Sequence, residues 1–272
     1  MKKKVIIPLA VVLVLVIVGI VIFSSLTSSK TVKAQLSIEA GNVMVNGESV
    51  AGNTELKQGD VVETSSDGLA TIILYESVVI NMEPNTKINL DDLTEANPSI
   101  TQEGGETWNQ ITNLFGIESY TVKAGTSVAS VRGTAFSVTE EKIIVDDGIV
   151  DYEIDRQKFN VVKDKVVEKI GETVRERNIR PDEQNALKIK RQRAIQQLKN
   201  LREKEIAKHP RILNLIKDKY SVSDEDIRKG LREADEGKIN LRDFKDKLPV
   251  KIDSAEKVIQ ITEKIQELNS RG

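Results

Sequence analysis

Residues Tyr120 to Val138 read YTVKAGTSVASVRGTAFSV, and this stretch decides the fold. Tyr120–Ala124 and Ser127–Val131 are short runs in which apolar residues alternate with polar ones, the period of a strand with one buried face. Gly125 lies between them, at a position typical of a tight turn. A third run follows from Arg132 to Val138, so the stretch predicts three consecutive strands.

The same pattern of short strands and turn residues extends from residue 37 to residue 175. Asn46-Gly47 lies between two short runs and predicts a hairpin, because a type I′ turn needs positive φ at both central residues. Asp146-Asp147-Gly148 predicts a second hairpin, formed by Lys142–Val145 and Ile149–Ile154. Strands at this spacing indicate an all-β domain, which could be a sandwich, a barrel or a stacked β-roll.

Residues 91–106 interrupt the pattern with the polar, acidic sequence DDLTEANPSITQEGGE. Pro98 and the Gly104-Gly105 pair are poor strand residues. We therefore expect a long exposed loop, and loops of this length are either functional or loosely ordered. It is our weaker choice for a surface that contacts a partner.

The order of five segments resembles the FecR domain: GNVMVNG at 41–47, LKQGDVVETSSDGLATIIL at 56–74, EPNTKINL at 83–90, YTVKAGTSVASVRGTAFSV at 120–138 and DDGIV at 146–150. The resemblance covers about residues 41–170. Its most specific part is the signature that consists of Arg132, Gly133, Thr134 and Phe136. Lys123-Ala124-Gly125-Thr126 stands where the family commonly has Thr-Pro.

The resemblance implies an extracytoplasmic β-rich domain, solenoid-like or sandwich-like, on a single membrane span. The best-known members of the family regulate an extracytoplasmic-function sigma factor through a cytoplasmic helical segment. We expect only Met1–Lys4 to lie in the cytoplasm here. For that reason we do not expect the anti-sigma role to transfer.

Val5–Phe23 reads VIIPLAVVLVLVIVGIVIF and contains no charged residue. At a rise of about 1.5 Å per residue, a helix of this length spans a bilayer. Lysines in Met1–Lys4 predict a cytoplasmic N-terminus and an extracytoplasmic location for everything after the span. A cleaved signal peptide is the alternative. Residues 24–36 are predicted to be a tether.

Residues 181–272 predict a separate, small helical domain. They include 17 acidic and 22 basic residues, whereas residues 31–150 include 18 acidic and 6 basic ones. The first helix is predicted over 183–208, with an apolar stripe, and His209-Pro210 ends it. Further helices are predicted over 211–220, where crowded apolar residues indicate burial on two sides, and from residues 224 and 253. The apolar stripe consists of Leu187, Ala194, Leu198 and Leu201.

A basic face also follows the first helix. Nucleic acid or anionic lipid binds such faces. Acidic residues are interleaved from Glu203 onward and no aromatic residue accompanies the bases, so we prefer a solvated face or one that docks on the acidic β domain. We do not expect nucleic acid as a partner. The basic residues are Lys188, Lys190, Arg191, Arg193, Lys199, Arg202 and Lys208.

The composition excludes several kinds of chemistry. There is no Cys, so no disulfide and no thiolate ligand can form. With a single His, His209, and no nucleophile elbow, a catalytic triad has nothing to assemble from. Asp235-Glu236-Gly237 resembles part of an EF-hand, but Arg232 stands where the first carboxylate ligand belongs. We therefore predict no catalytic residue, no metal and no cofactor.

The signature residues Arg132, Gly133, Thr134 and Phe136 are the candidate contact site. Arg132 could serve as a fork for an anion or a carboxylate. We prefer a structural interpretation, in which Arg132 pairs with a neighbouring acid, Gly133 lets a strand pass closely and Phe136 fills the core.

The sequence thus predicts a non-enzymatic binding, sensing or scaffolding protein of the cell envelope, which contacts an envelope or membrane protein or a second copy of itself. The first alternative is a regulator of a cytoplasmic partner, as in FecR anti-sigma regulators, which requires the helical domain to lie inside the cell. The second alternative is an envelope glycan-processing enzyme. Its carboxylates would be among Asp60, Asp67, Asp146 and Asp147.

Overall fold

Two nine-stranded sheets, A and B, pack against each other across one apolar core. In spatial order, sheet A contains β18 (Thr173–Asn178), β17 (Lys165–Ile170), β14 (Lys142–Asp147), β13 (Ala135–Val138), β10 (Thr107–Ile111), β7 (Val78–Met82), β6 (Leu69–Leu74), β1 (Ala34–Ala40) and β4 (Thr54–Glu55). Sheet B contains β16 (Gln157–Val162), β15 (Ile149–Ile154), β12 (Ser127–Val131), β11 (Tyr120–Ala124), β9 (Ser99–Gly104), β8 (Lys87–Asp92), β5 (Val61–Thr64), β2 (Val43–Val45) and β3 (Glu48–Ser49).

The computed structural model describes residues 34–111, 117–245 and 253–271. The stretch Lys33–Gly272 forms one compact unit. Within the described ranges, no helix has the length and apolar character needed to cross a bilayer. The expected cytoplasmic stub 1–4 and membrane segment 5–23, together with most of the expected tether 24–36, lie outside these ranges.

The chain builds both sheets in the same direction. From β5 onward it alternates between them, usually two strands at a time, and each new strand is added on the side away from β3 and β4. Neighbouring strands are antiparallel except β9 and β11, which are parallel. The predicted all-β architecture is confirmed as a two-sheet sandwich, built in a stacked progression.

One of the two predicted hairpins is present. At the first, Met44 pairs with Ser49, and Asn46 and Gly47 have φ of 53° and 82°, as a type I′ turn requires. The second prediction was wrong: β14 belongs to sheet A and β15 to sheet B, so the chain crosses between sheets at Gly148 instead of reversing within one sheet.

Three further expectations need correction. Residues 34–36, expected in the tether, begin β1, which pairs with β4 and β6. The stretch 91–106 is not a long exposed loop, because it contains β9, whose Ile100 and Gln102 are fully buried. The sequence pattern also missed β18, which pairs with β17 along its whole length. In each case the strand is stabilised by partners distant from the turn signals that we used.

Helices cover the outer face of sheet A. They are α1 (Pro181–Ala207), α2 (Pro210–Tyr220), α3 (Asp224–Asp235), α4 (Arg242–Lys245) and α5 (Asp253–Asn269). The predicted apolar stripe of α1 is buried against Trp108 and other residues of sheet A and against α5. The helical segment therefore shares a core with the sandwich, whereas the exact domain boundaries 37–175 and 181–272 stay a prediction.

Ion pairs reinforce this packing along α1. Lys190 Nζ lies 2.6 Å from Glu106 Oε1, and Arg193 lies 2.7 Å from Glu39 and 2.6 Å from Glu83. The Asn81 side chain also donates a hydrogen bond to the backbone carbonyl of Lys190. Much of the basic face of α1 thus docks on acidic residues of sheet A. This agrees with the interpretation that the basic face docks on the acidic β domain.

The prediction for α2 was wrong in one respect. Leu215 is 52% exposed and Tyr220 is 45% exposed, so this helix is not buried on two sides. The helix that follows it begins as predicted, with a capping box in which Ser223 and Asp226 hydrogen-bond to each other's backbone N–H.

An arginine-centred network joins β17, β18 and the start of α1. The Arg177 guanidinium donates hydrogen bonds to Glu168 and to Glu183, all of them between 2.7 and 2.8 Å. These hydrogen bonds lower the pKa of each glutamate from 4.5 to about 2. Both carboxylates therefore stay charged where the helical segment meets the sheet.

Candidate functional site: the Arg132 surface

The signature residues lie where the chain crosses from sheet B to sheet A. Arg132, Gly133 and Thr134 connect β12 to β13, and Gly133 has a φ of 65°, which favours glycine. Phe136 follows in β13 and is fully buried in the core between the sheets. The preferred structural role of Phe136, filling the core, agrees with its position, whereas the close approach of a strand at Gly133 stays a prediction.

A second crossing of the chain packs beside the first. Gly148 connects β14 to β15 with a φ of 79°, and a Cβ atom added to it would lie 2.4 Å from Thr134 Cγ2. The backbone carbonyl of Thr134 in turn accepts a hydrogen bond of 2.9 Å from the N–H of Ile111. The two crossings therefore pack against each other, and this packing restricts the backbone next to Arg132.

Arg132 itself does not have the expected acidic partner. Its side chain is exposed, and within the described residues it makes no ion pair and no hydrogen bond. Asp151 lines the same groove but forms no salt bridge with it. The donors of the guanidinium therefore face solvent.

A shallow groove of about 510 Å³ surrounds the Arg132 side chain. Two hydroxyl groups, from Ser119 and Ser130, line it together with Ile149 and Asp151. The groove combines a cation, two hydroxyls, a carboxylate and an apolar side chain in a small area.

Apolar side chains extend the groove across three neighbouring strands. Ile149 is 59% exposed and lies directly opposite Val162, which is 43% exposed. Val131 pairs with Val150, so the next residue, Arg132, falls in the same row as Ile149 and Val162. Val128 is 38% exposed and lies four residues before Arg132 on the same face of the sheet. We call Arg132, Val128, Ile149 and Val162 the Arg132 surface.

The Arg132 surface extends to the edge of sheet B. Strand β16, which carries Val162, is the edge strand of that sheet among the described residues. An edge strand offers backbone N–H and C=O groups to an added strand. A partner seated at the Arg132 surface thus has apolar, cationic and backbone contacts within reach.

The four aspartates of the enzyme alternative have local contacts instead of a shared cleft. Asp60 accepts hydrogen bonds from Asn46 and from the backbone of Lys57. Asp67 accepts one from Ser65. The other two face the helices: Asp146 pairs with Arg191 at 3.1 Å, and Asp147 with Arg271 at 2.6 Å.

The half EF-hand pattern also has a structural explanation. Asp235 is buried and accepts hydrogen bonds from Arg202, one of them 3.0 Å long. In the part of the chain that the structure describes, no three His, Cys, Asp or Glu side chains are grouped as metal ligands.

Residues 60–150 match the model of the family described as FecR protein. The expected resemblance is therefore confirmed over this segment, which contains the whole signature from Arg132 to Phe136. Its extension to residues 41–59 and 151–170 stays a prediction. A search of curated proteins found no match to this chain.

Two crystal structures, at 2.50 Å and 1.65 Å resolution, of a candidate anti-sigma factor from Parabacteroides distasonis are similar to part of this chain. Each has a TM-score of 0.39 and 13% sequence identity, and the alignment covers 43% of this chain and 59% of that chain. A similarity with this TM-score does not show that the two proteins share a fold or a function.

Proposed function

We propose that this chain is a FecR-like sensing or scaffolding protein of the cell envelope, and that it acts without catalysis by binding another protein at the Arg132 surface. The match of residues 60–150 to the FecR family supports a regulatory or sensing role. The observation that carries the proposal is an unpaired Arg132 in one row with two exposed apolar side chains, Ile149 and Val162.

The chemistry of the Arg132 surface suits an acidic, partly apolar segment of a partner protein. A guanidinium recognises a carboxylate through two parallel hydrogen bonds. Exposed apolar side chains gain free energy when a partner covers them. Neighbouring exposed positions on a sheet commonly carry polar residues, so Val128, Ile149 and Val162 together indicate contact with another molecule.

The packing of α1 on sheet A restricts how the β and helical segments can be arranged relative to a membrane. Its apolar stripe and its ion pairs join it to sheet A, which supports placing the β and helical segments on the same side of a membrane. A regulator whose helical domain lies in the cytoplasm while its β domain lies outside would have to give up these contacts. We propose that both segments lie outside the cytoplasm, on an N-terminal membrane anchor formed by residues 5–23, because lysines precede this apolar stretch.

The anti-sigma description belongs to the Parabacteroides protein, and we do not extend it to this chain. We propose that the β and helical segments transmit a signal laterally, to a membrane neighbour or through self-association.

Site-specific photo-cross-linking tests the proposed contact. A photoreactive amino acid replaces Ile149 in the full chain, expressed in its native host, and a matched variant carries it at Ile189, which is 65% exposed on α1. We expect a discrete protein adduct from position 149 and none of the same mass from position 189. The absence of any adduct specific to position 149 would contradict the proposal.

Cysteine labelling tests the compartment. The chain has no Cys, so single cysteines at Ser66 and Gln192, both exposed, report independently on the β and helical segments. We expect both to react with a membrane-impermeant thiol reagent in intact cells. Labelling of Ser66→Cys alone before lysis would favour the cytoplasmic-regulator alternative, and labelling of neither would overturn the envelope location.

A further inference from the structure

A second concave site lies away from the Arg132 surface, where the helices meet the sandwich. It is a cleft of about 380 Å³ between the first turns of α1, the turn that joins β16 to β17, and Arg271 just after α5. We call it the basic cleft. Its charged lining consists of Lys163, Lys188, Arg191 and Arg271 against Asp146 and Asp164.

The rim of the basic cleft holds two free cations. Lys163 and Lys188 are both exposed, and neither forms an ion pair within the residues that the structure describes. Arg191 and Arg271 have carboxylate partners, so Lys163 and Lys188 are the two lining cations that no described carboxylate pairs with. An excess of one sign in a concave site concentrates ligands of the opposite sign.

The two arginines of the cleft are buried and incompletely satisfied. Arg191 is 8% exposed, and its Nε lies 3.1 Å from Asp146 Oδ2 without the geometry of a hydrogen bond. Arg271 contacts Asp147 and Glu267 through Nη2, whereas its Nη1 has no hydrogen-bond partner in the described structure. Buried polar atoms without partners are rare and costly, and a bound ion is one explanation for them.

Asp146 is the buried carboxylate of the basic cleft, and its Oδ2, like Arg191 Nε, has no hydrogen-bond partner in the described structure. Burial raises the pKa of this carboxyl group above the ordinary value, although Arg191 and Arg271 act in the opposite direction.

We infer that the basic cleft binds a phosphate group, held by Lys163 and Lys188 at the rim and attracted by Arg191 and Arg271 beneath them. The two unpaired lysines match the two charges of a phosphate dianion, and the cleft volume leaves room for an organic substituent. Because the four cations belong to three separate segments of the fold, the bound group would also tie the helices to the sandwich. This site is independent of the proposed partner contact.

Calorimetry tests the inference on the full chain, with inorganic phosphate as the probe at constant ionic strength. We expect saturable binding at one site and a rise in Tm with phosphate concentration. The variant Lys163→Gln/Lys188→Gln changes only exposed side chains, so it should fold normally and bind phosphate at least about tenfold more weakly. The control is Lys158→Gln, whose side chain is 82% exposed outside the cleft, and it should bind like the unaltered chain.

Three results would overturn the inference: no saturable heat, the same response to equivalent chloride, or unchanged affinity in the double variant. Where phosphate binds as expected, glycerol 3-phosphate and a water-soluble short-chain phosphatidic acid identify the source of the group. Tighter binding of the first supports a soluble phosphate ester, and tighter binding of the second supports a lipid headgroup.

Discussion

Gly148 packs directly on Thr134, so closely that a Cβ atom at residue 148 would lie 2.4 Å from Thr134 Cγ2. These two residues belong to opposite crossings of the chain between the sheets. Their contact fixes the backbone next to Arg132, which makes Gly148 a structural support of the Arg132 surface.

The first prediction concerns Gly148→Ala. The new methyl group meets Thr134 and the φ of 79° is unfavourable for alanine. The matched control is Gly171→Ala, where φ is 61° but nothing lies within 4 Å of the added atom. Urea denaturation should show that Gly148→Ala lowers the free energy of unfolding by about 2 kcal/mol more than the control does. Equal losses would mean that the contact with Thr134 is not tight.

The second prediction concerns the ion pair between the buried Lys190 and the partly exposed Glu106. The Lys190 side chain is 8% exposed, and Lys190→Met leaves the Glu106 carboxylate at the interface without its cation. We expect a loss of about 3 kcal/mol in the free energy of unfolding.

The double variant Lys190→Met/Glu106→Gln removes both charges and should recover part of this loss. The control pair is Lys158 and Glu153, 3.8 Å apart and well exposed, where Lys158→Gln should change little. A double variant no more stable than Lys190→Met alone would show that the pair is not coupled.

The third prediction concerns acid stability. Hydrogen bonds from Arg177 lower the pKa values of Glu168 and Glu183 from 4.5 to about 2. The unfolded chain therefore takes up protons at higher pH than the folded one. The stabilisation is complete above the unfolded pKa and is lost as the pH falls from about 4.5 towards 2.

Arg177→Met tests this directly. It should lower stability at neutral pH and also flatten the decline in the free energy of unfolding between about pH 5 and pH 2. Urea denaturation at a series of pH values measures both. An unaltered acid profile in the variant would assign the acid sensitivity to other carboxylates.

Local signals in the sequence predicted much of the fold. The Asn46-Gly47 hairpin and the capped start of α3 at Ser223 depend on residues a few positions apart, so the sequence alone determines them. The apolar stripe of α1 is likewise a periodic pattern within one element, and it is buried as predicted.

Features that depend on distant partners were predicted less well. Asp147-Gly148 carries the same turn signal as a hairpin, but it serves a crossing between sheets because β14 pairs with β13 and β17. Strand β9 lies in a segment with Pro98 and paired glycines and is stabilised by β8 and β11. Two hairpin turns without glycine, at Tyr75-Glu76 and Asp155-Arg156, adopt positive φ and gave no sequence signal.

The candidate site likewise combines features that local sequence signals predict with features that depend on distant strands. The signature drew attention to Arg132, Gly133, Thr134 and Phe136 from the sequence. That Ile149 and Val162 lie in one row with Arg132 is set by the register of three strands, which only the structure gives. Whether Arg132 has an acidic partner also depends on that register, and this is why our preferred structural interpretation of Arg132 differs from what we find.

The fourth prediction is that Arg132→Glu leaves the protein folded. The side chain is exposed and makes no ion pair or hydrogen bond within the described residues that the change would break. Its Tm should match that of the unaltered chain. A large fall in Tm would mean that Arg132 has a structural role.

The most direct test of the central claim combines this variant with the photoreactive residue at position 149. The yield of the protein adduct is measured with Arg132 and with Arg132→Glu, at equal protein levels. We predict that the charge reversal abolishes the adduct while the fold stays intact. An adduct of unchanged yield in the Arg132→Glu chain would contradict the account, because the partner would then not be recognised through Arg132.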